Sequence, residues 1–287
     1  MKIGMVFEGG ASRTIFSCGV ADAFLEDNIM PDYFIGVSAG IAFGISYLSK
    51  QKGRNLMLAK KYMPDKNYQG FRFLFDRKRK TYYNLDYVFD EVPNRLLPFD
   101  YEEFARFPGI VEAAVTNIHT GKVEYLEVEK GTQNMDTIVA SCALPVFFKP
   151  VKVGRHYYLD GGVADSIPYK RALEQGCDKV VVVLTRERGY VKHPDRSTQI
   201  ASLIYRNYPN IVKGLKNRPA SYNASMEELL RLEKEGKVFV IAPDDTYGVG
   251  RTESNPKRLE RLYEEGYLEA KEQMVALKNY LNKPVQQ

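Results

Sequence analysis

Apolar runs with the spacing of buried strands alternate with stretches of helical spacing along the first fifth of the chain. Residues 2–7 form a strand-like run that ends in the tight loop Glu8-Gly9-Gly10-Ala11-Ser12-Arg13, after which Ile15, Val20, Phe24 and Leu25 recur at helical spacing. The unit then repeats. Tyr33-Phe34-Ile35 runs into a sharp turn, and residues 41–48 continue as an apolar stretch compatible with a helix. Strand, loop, helix, strand predicts an α/β sheet with parallel neighbours, whose connecting loops gather at one carboxyl edge.

The pattern changes over about 51–107, where mixed helical stretches rich in aromatic residues read as an insertion or cap over that edge. Residues 110–118 and 122–128 predict two strands joined by the hairpin turn His119-Thr120-Gly121. A helix over 135–143 should stop at Leu144-Pro145, because proline disfavours helix in the residue before it. Short strands at 149–153 and 157–159 lead to Asp160-Gly161-Gly162. A helix opening after Ile167-Pro168 closes at Gly176, and the β-branched run 179–184 reads as a buried parallel strand. Loop and helices follow to 237, then a strand at 237–241 and one long charged helix over 255–281. The strand at 237–241 keeps the α/β alternation to the end. The expected division is therefore a core over 1–185, with 186–287 as the remainder of that core plus a helical C-terminal extension.

Composition narrows the function classes. With 44% hydrophobic and 27% charged residues in 287, and no low-complexity tract, the chain is neither disordered nor fibrous. A net charge of +5 without any nucleic-acid-binding signature predicts no nucleic-acid partner, while an anionic membrane surface or a phosphate-bearing substrate stays compatible with it. The run from Phe71 to Tyr83 alternates aromatic and basic residues. It reads either as a lipid-contacting segment, with Arg77, Lys78, Arg79 and Lys80 meeting head groups, or as a solvated basic loop with its aromatics tucked under. No apolar run reaches the length of a membrane span, and the first strand runs into a glycine loop instead of a cleavage site. Cys18, Cys142 and Cys177 are odd in number and widely spaced, as expected of free thiols in a reducing compartment. The expected location is cytoplasmic, with peripheral contact at the inner membrane surface as an option.

Three stretches carry candidate chemistry. Gly36-Val37-Ser38-Ala39-Gly40 is a G-x-S-x-G between a strand and a helix, a context that exposes the serine hydroxyl on a strained turn, with Gly36 and Gly40 letting strand and helix approach. Gly9, Gly10 and Ala11 open a helix, where backbone N–H groups favour a phosphate or a developing oxyanion; a plain connecting turn is the alternative. G-x-G-x-x-G is not matched, which disfavours a dinucleotide. Asp160 is delivered by a strand onto Gly161 and Gly162, as a functional carboxylate or as a turn cap. The histidines, His119, His156 and His193, have no metal-ligand spacing, and only His193 follows Asp160, as a chain order of Ser, Asp, His requires. No cofactor and no metal are expected.

Together these stretches resemble the patatin-like phospholipase family. The resemblance covers about residues 2–185 and includes Ala140-Ser141-Cys142-Ala143-Leu144-Pro145, which looks like the family's stretch preceding its aspartate. It implies a three-layer α/β/α sandwich with a mostly parallel central sheet. It also implies a serine acyl hydrolase that cleaves carboxylic ester bonds of lipids, with Ser38 as nucleophile and Asp160 as its partner in a dyad without histidine. Gly9, Gly10 and Ala11 would supply the oxyanion-hole amides, and Arg13 matches the basic residue after the family's glycines. The chain departs from the pattern at Ala11, where the family has a third glycine, and at Thr14. Ala11 motivates the alternative of a lipid-binding or regulatory protein that kept the fold and lost activity. Oligomeric state and head-group preference are not specified.

Overall fold

In the computed structural model, residues 1–75, 81–194 and 197–284 are described. Strands β1 (Ile3–Phe7), β2 (Tyr33–Val37), β3 (Ile110–Asn117), β4 (Val123–Glu127), β5 (Val151–Val153), β6 (His156–Asp160), β7 (Lys179–Val183) and β8 (Val238–Ile241) form one sheet in the order β5-β6-β3-β2-β1-β7-β8, with β4 paired to β3. The run β3-β2-β1-β7-β8 is parallel, whereas β4 and β6 pair with β3 in the opposite sense.

Strand alternation sets the layers. Met5 and Phe7 of β1, Phe34 of β2 and Val181 and Val183 of β7 enter one apolar cluster, while Val6, Tyr33, Ile35, Val180 and Val182 enter another. Helices α1 (Ile15–Glu26) and α2 (Ala39–Leu48) cover the first face. After α3 (Asp136–Ser141) come α4 (Tyr169–Glu174), α5 (Ser197–Ile204) and α6 (Pro209–Lys234), of which α4 and α6 cover the second face through Tyr169, Ala172, Met226 and Leu229. The fold is α/β, a central sheet between helices.

The segment before β3 consists of short helical pieces, among them Arg54–Met57, Tyr87–Leu96 and Tyr101–Arg106, whose Tyr68, Tyr87, Val92 and Phe99 join the first cluster. In its aromatic run Phe73 and Tyr82 are buried, whereas Phe71 and Phe75 are 68% and 85% exposed. Arg77, Lys78, Arg79 and Lys80 lie outside the described residues. No helix among the described residues is long and apolar enough to cross a membrane.

The C-terminal region is built into this body. β8 adds a parallel strand beside β7, and α7 (Pro256–Glu272) lies on α1 at backbone contact. A Cβ on Gly19 would sit 2.0 Å from Tyr263 O, and one on Gly266 would sit 2.0 Å from Phe16 O. Tyr263 donates its hydroxyl hydrogen to Asp22 at 2.6 Å, and Lys271 pairs with Asp27 at 2.6 Å. The single long helix expected over 255–281 is instead two helices, α7 and α8 (Met274–Asn282), which meet at Gln273. The turn there brings Tyr280 to the sheet, where its hydroxyl accepts from Val180 N–H at 3.0 Å and donates to Lys237 O at 2.9 Å.

Gly266→Ala is expected to destabilise the protein by about 1–3 kcal/mol, because the added methyl meets main chain that cannot rotate away. A lowered urea midpoint at unchanged m-value checks it.

Candidate functional site

The site begins with one edge of β3. β4 occupies the other edge, so β2 and β6 share this one: β2 runs parallel along it until Val37 stands beside Ala114, and β6 arrives from the opposite direction until Asp160 stands beside Val115. Successive residues of a strand are only about 3.3 Å apart. The ends of two strands therefore meet, and Ser38, the residue after β2, lies next to Asp160.

Ser38 occupies the turn between β2 and α2 with φ 54° and ψ −127°, a strained conformation for a residue with a side chain. Its N–H donates to Ser141 Oγ at 2.8 Å, and Ser141 donates in turn to Ala114 O at 2.7 Å. Gly40 allows the start of α2 to approach β1, since a Cβ there would sit 2.4 Å from Phe7 O; Gly36 faces Ile41 N at 2.5 Å in the same way.

Asp160 is 1% exposed. Its Oδ1 accepts from Gly162 N–H at 2.8 Å, while Oδ2 has no hydrogen-bond partner. Burial raises its pKa above the usual carboxylate value; Arg218, the Ser38 hydroxyl, the Gly162 N–H and Arg251 act in the other direction. Gly161 packs on Ala114, where a Cβ would lie 2.1 Å from the carbonyl oxygen.

The loop after β1 completes the arrangement. Glu8 is buried and fully engaged: Thr185 N–H and Oγ1 donate to it at 2.6 and 3.0 Å, and the Tyr222 hydroxyl at 2.8 Å. Ser12 donates through N–H and Oγ to Arg251 O. Between these anchors, the N–H groups of Gly9, Gly10 and Ala11 have no partner among the described residues. Gly9 lies against the Ser38 turn, where a Cβ would sit 2.7 Å from Val37 O. Ala11 adopts φ 49°, the left-handed region that glycine enters freely.

Ser38 sits between two cavities. One, of about 110 Å³, is apolar, with Ala42, Leu58, Tyr83, Val92, Phe99 and Ile138 in its wall. The other, of about 30 Å³, is polar and brings together Gly9, Gly10, Ala11, Arg13, Ser38, Asp160 and Gly162. Cys142 borders the apolar one, half-buried, its thiol pushed up by burial. The structure thus gathers the sequence candidates around one point, with Gly36, Gly40 and Gly161 as packing positions behind it. The histidines do not join them: all three are exposed, His119 against the Tyr208 ring and His193 on the rim of a wider opening. Among the described residues no cluster of His, Cys, Asp and Glu is arranged to hold a metal.

Residues 5–173 match the family described as patatin-like phospholipase. The chain belongs to the patatin-like phospholipase family. This is a lipid-hydrolase family, and that coarse class is what membership supports. Residues 208–282, which span α6 to α8, match a second family, a domain of unknown function (DUF6363). Over 191 residues the chain is 28% identical to the uncharacterized protein YjjU of Escherichia coli (strain K12), in an alignment covering 64% of this chain and 52% of that protein. The chain thus spans about half the length of that relative. The crystal structure of VipD from Legionella pneumophila superposes with a TM-score of 0.47 at 13% identity, covering 96% of this chain and 67% of that one.

Sequence reading missed several residues of this candidate site: Ser141 as the bridge to Ser38, Thr185 as the anchor of Glu8, and the cations Arg186, Lys192, Arg218 and Arg251 in the polar cavity. No local spacing marks them. The nearest signal is Pro219, which disfavours the middle of a helix and follows Arg218 directly.

Ala11→Gly is expected to stabilise the fold by about 1 kcal/mol, the left-handed strain of about 1–2 kcal/mol less the entropy of a glycine. A thermal melt of the two proteins measures it; an equal or lower Tm for the glycine variant refutes the strain.

Proposed function

We propose that this protein is a serine acyl hydrolase that cleaves carboxylic ester bonds of lipids through Ser38 and Asp160, by way of an acyl-enzyme. The observation that carries this reading is the end-to-end meeting of β2 and β6 on β3, which sets Asp160, a buried carboxylate with one oxygen unpartnered, beside Ser38. A serine hydroxyl is a weak nucleophile until a positioned base takes its proton. Asp160 takes that proton as Ser38 Oγ bonds to the acyl carbon, and the N–H groups of Gly9, Gly10 and Ala11 receive the negative charge that develops on the carbonyl oxygen. Asp160 then returns the proton to the leaving alcohol. Water, deprotonated by the same carboxylate, attacks the acyl carbon, and Asp160 returns that proton to Ser38 Oγ as the acyl group departs as the acid.

Burial supports the choice of base. An exposed aspartate, with a pKa near 3.9, binds a proton too weakly for this task, and desolvation of Asp160 strengthens its basicity. The apolar cavity supports the substrate class. At about 110 Å³ it is somewhat smaller than the apolar cavities of about 150 Å³ that take a benzene-sized ligand, so it admits a short acyl segment.

Ser38→Ala and Asp160→Asn are each expected to lower kcat/KM for short-chain p-nitrophenyl esters by at least about 10³-fold. His119→Ala and His156→Ala should stay within about twofold. Labelling of Ser38 by a fluorophosphonate tests the nucleophile directly: a folded wild type that neither labels nor hydrolyses any ester is instead a lipid-binding protein on this fold.

The pH profile follows from the raised pKa. Protonated Asp160 accepts no proton from Ser38, so kcat/KM should fall as pH drops, with its midpoint above the ordinary aspartate value of about 3.9. A flat profile down to pH 4 sinks the assignment of Asp160 as base.

A further inference from the structure

The polar cavity beside Ser38 holds more positive charge than the chemistry of ester cleavage uses. Arg13 from the loop after β1, Arg186 and Lys192 from the segment after β7, Arg218 from α6 and Arg251 from the loop before α7 all line it, against the carboxylates of Glu8 and Asp160. Glu8 is already saturated by Thr185 and Tyr222. Arg13 is only 7% exposed, and its Nε has no hydrogen-bond partner. Arg218 Nε is likewise buried and unpartnered, with Nη2 against Gly162 at the turn that follows Asp160.

Such an excess is costly in a shielded cavity, where like charges repel across little water. Burial and the neighbouring cations act on these groups in the same direction. Burial and then Arg186 hold Arg13 down to about 10, with Arg251 adding to the lowering and Glu8 and Tyr190 opposing it. Burial and then Arg218 hold Lys192 down to about 7, with Arg251 and Arg13 adding and Glu8 opposing. A bound anion removes the repulsion and receives charge-assisted hydrogen bonds from planar guanidinium groups, which suit phosphate.

Position fixes which part of a substrate meets these cations. With the ester carbon at Ser38 and the acyl chain in the apolar cavity, the alcohol portion points to the polar side. That side also opens outward: Arg13, Leu144, Arg186, Lys192, Arg218 and Arg251 line both the small cavity and a wider one of about 700 Å³. The lining also disfavours a zwitterionic head group. A quaternary ammonium needs a free carboxylate or an aromatic face, and beside Ser38 the tyrosines already carry cations, Tyr190 under Arg186 at 4.3 Å and Tyr222 under Lys192 at 4.4 Å, which leaves Phe147 and His193 farther out on the wider cavity.

We propose that Arg13, Arg186, Lys192, Arg218 and Arg251 form a subsite for a phosphate monoester carried on the alcohol portion of the ester, which makes acylated glycerol phosphates favoured substrates over zwitterionic lipids. The proposal rests on Ser38 as the point of ester cleavage, and binding separates the two ideas. The experiment uses the full chain carrying Ser38→Ala, titrated by calorimetry with a short-chain lysophosphatidic acid, with the lysophosphatidylcholine of the same chain, and with inorganic phosphate. The monoester lipid is expected to bind at least tenfold more tightly than the choline lipid. Adding Arg218→Gln or Lys192→Gln should each remove at least fivefold of that preference, and Lys192→Arg should restore it. In the background with Ser38 intact, the ratio of kcat/KM for the two lipids should fall by a similar factor, chiefly through KM. If Arg218→Gln, which removes a guanidinium with a buried Nε, fails to fold, Lys192→Gln, on the loop after β7, carries the test.

Equal binding of the two lipids, or a preference untouched in folded Lys192→Gln, overturns the subsite even if esters are hydrolysed. Phosphate alone binding as tightly as the monoester lipid assigns the cavity to a free phosphate and overturns the head-group assignment. Anion-selective lipid binding by a protein that hydrolyses no ester supports the subsite and removes the hydrolase reading instead.

Discussion

One edge of β3, shared by two strands of opposite sense, is the constraint on which the site depends. A purely parallel sheet brings each strand's carboxyl end to the same side but never sets two strand ends against each other along one edge. Here β2 stops at the rung of Ala114 and β6 stops at the next, so Ser38 and Asp160 become neighbours without any long side chain having to reach. The carbonyl of Ala114 is the hub. Ser141 donates to it while accepting from Ser38 N–H, and Gly161 lies so close that any side chain would displace it. A one-residue slip of β6 would turn Asp160 to the other face of the sheet, because side chains alternate strictly along a strand.

That closeness carries a cost which the rest of the chain offsets. Asp160 is buried with one oxygen unpartnered, an arrangement disfavoured for a charged carboxylate. The cations that oppose the penalty, Arg218 and Arg251, come from α6 and from the loop before α7, beyond the segment matching the patatin-like family. The packing of α7 on α1 through Gly19 and Gly266 fixes the direction from which the Arg251 loop returns to the site, where its carbonyl holds Ser12. The C-terminal helices thus act on the electrostatics of the site as well as on the core.

This division explains what could be read from the sequence. Ser38, Asp160 and the loop Gly9-Gly10-Ala11 are each written in a local pattern, a turn that only certain small residues permit between a strand and a helix, and such patterns survive without knowledge of the fold. β-branched runs such as 179–184 were legible for a similar reason, since a strand buried on both faces leaves no polar positions. Arg218 and Lys192 had no local signature, because what makes them matter is that distant elements bring them to one cavity; in sequence each is an ordinary cation in a helical or loop stretch. The turn at Gln273 was invisible because both helices it joins are good helix formers, and the bend serves a contact between Tyr280 and the sheet. The aromatic run near residue 71 mixes buried and exposed rings, which alternation alone could not sort.

Ala11 shows how such a site tolerates a residue that local rules disfavour. A left-handed alanine costs on the order of 1–2 kcal/mol, which an isolated loop would escape by relaxing. This loop cannot relax without losing other bonds: Glu8 is held by Thr185 and Tyr222, and Ser12 by Arg251. Each neutral hydrogen bond contributes about 1 kcal/mol, and those to the buried carboxylate more, so their sum exceeds the strain several-fold. The conformation at Ala11 is therefore imposed by its neighbours. The same anchors hold the loop of Gly9, Gly10 and Ala11, whose N–H groups have no partner among the described residues, against the Ser38 turn, whichever residue stands at position 11.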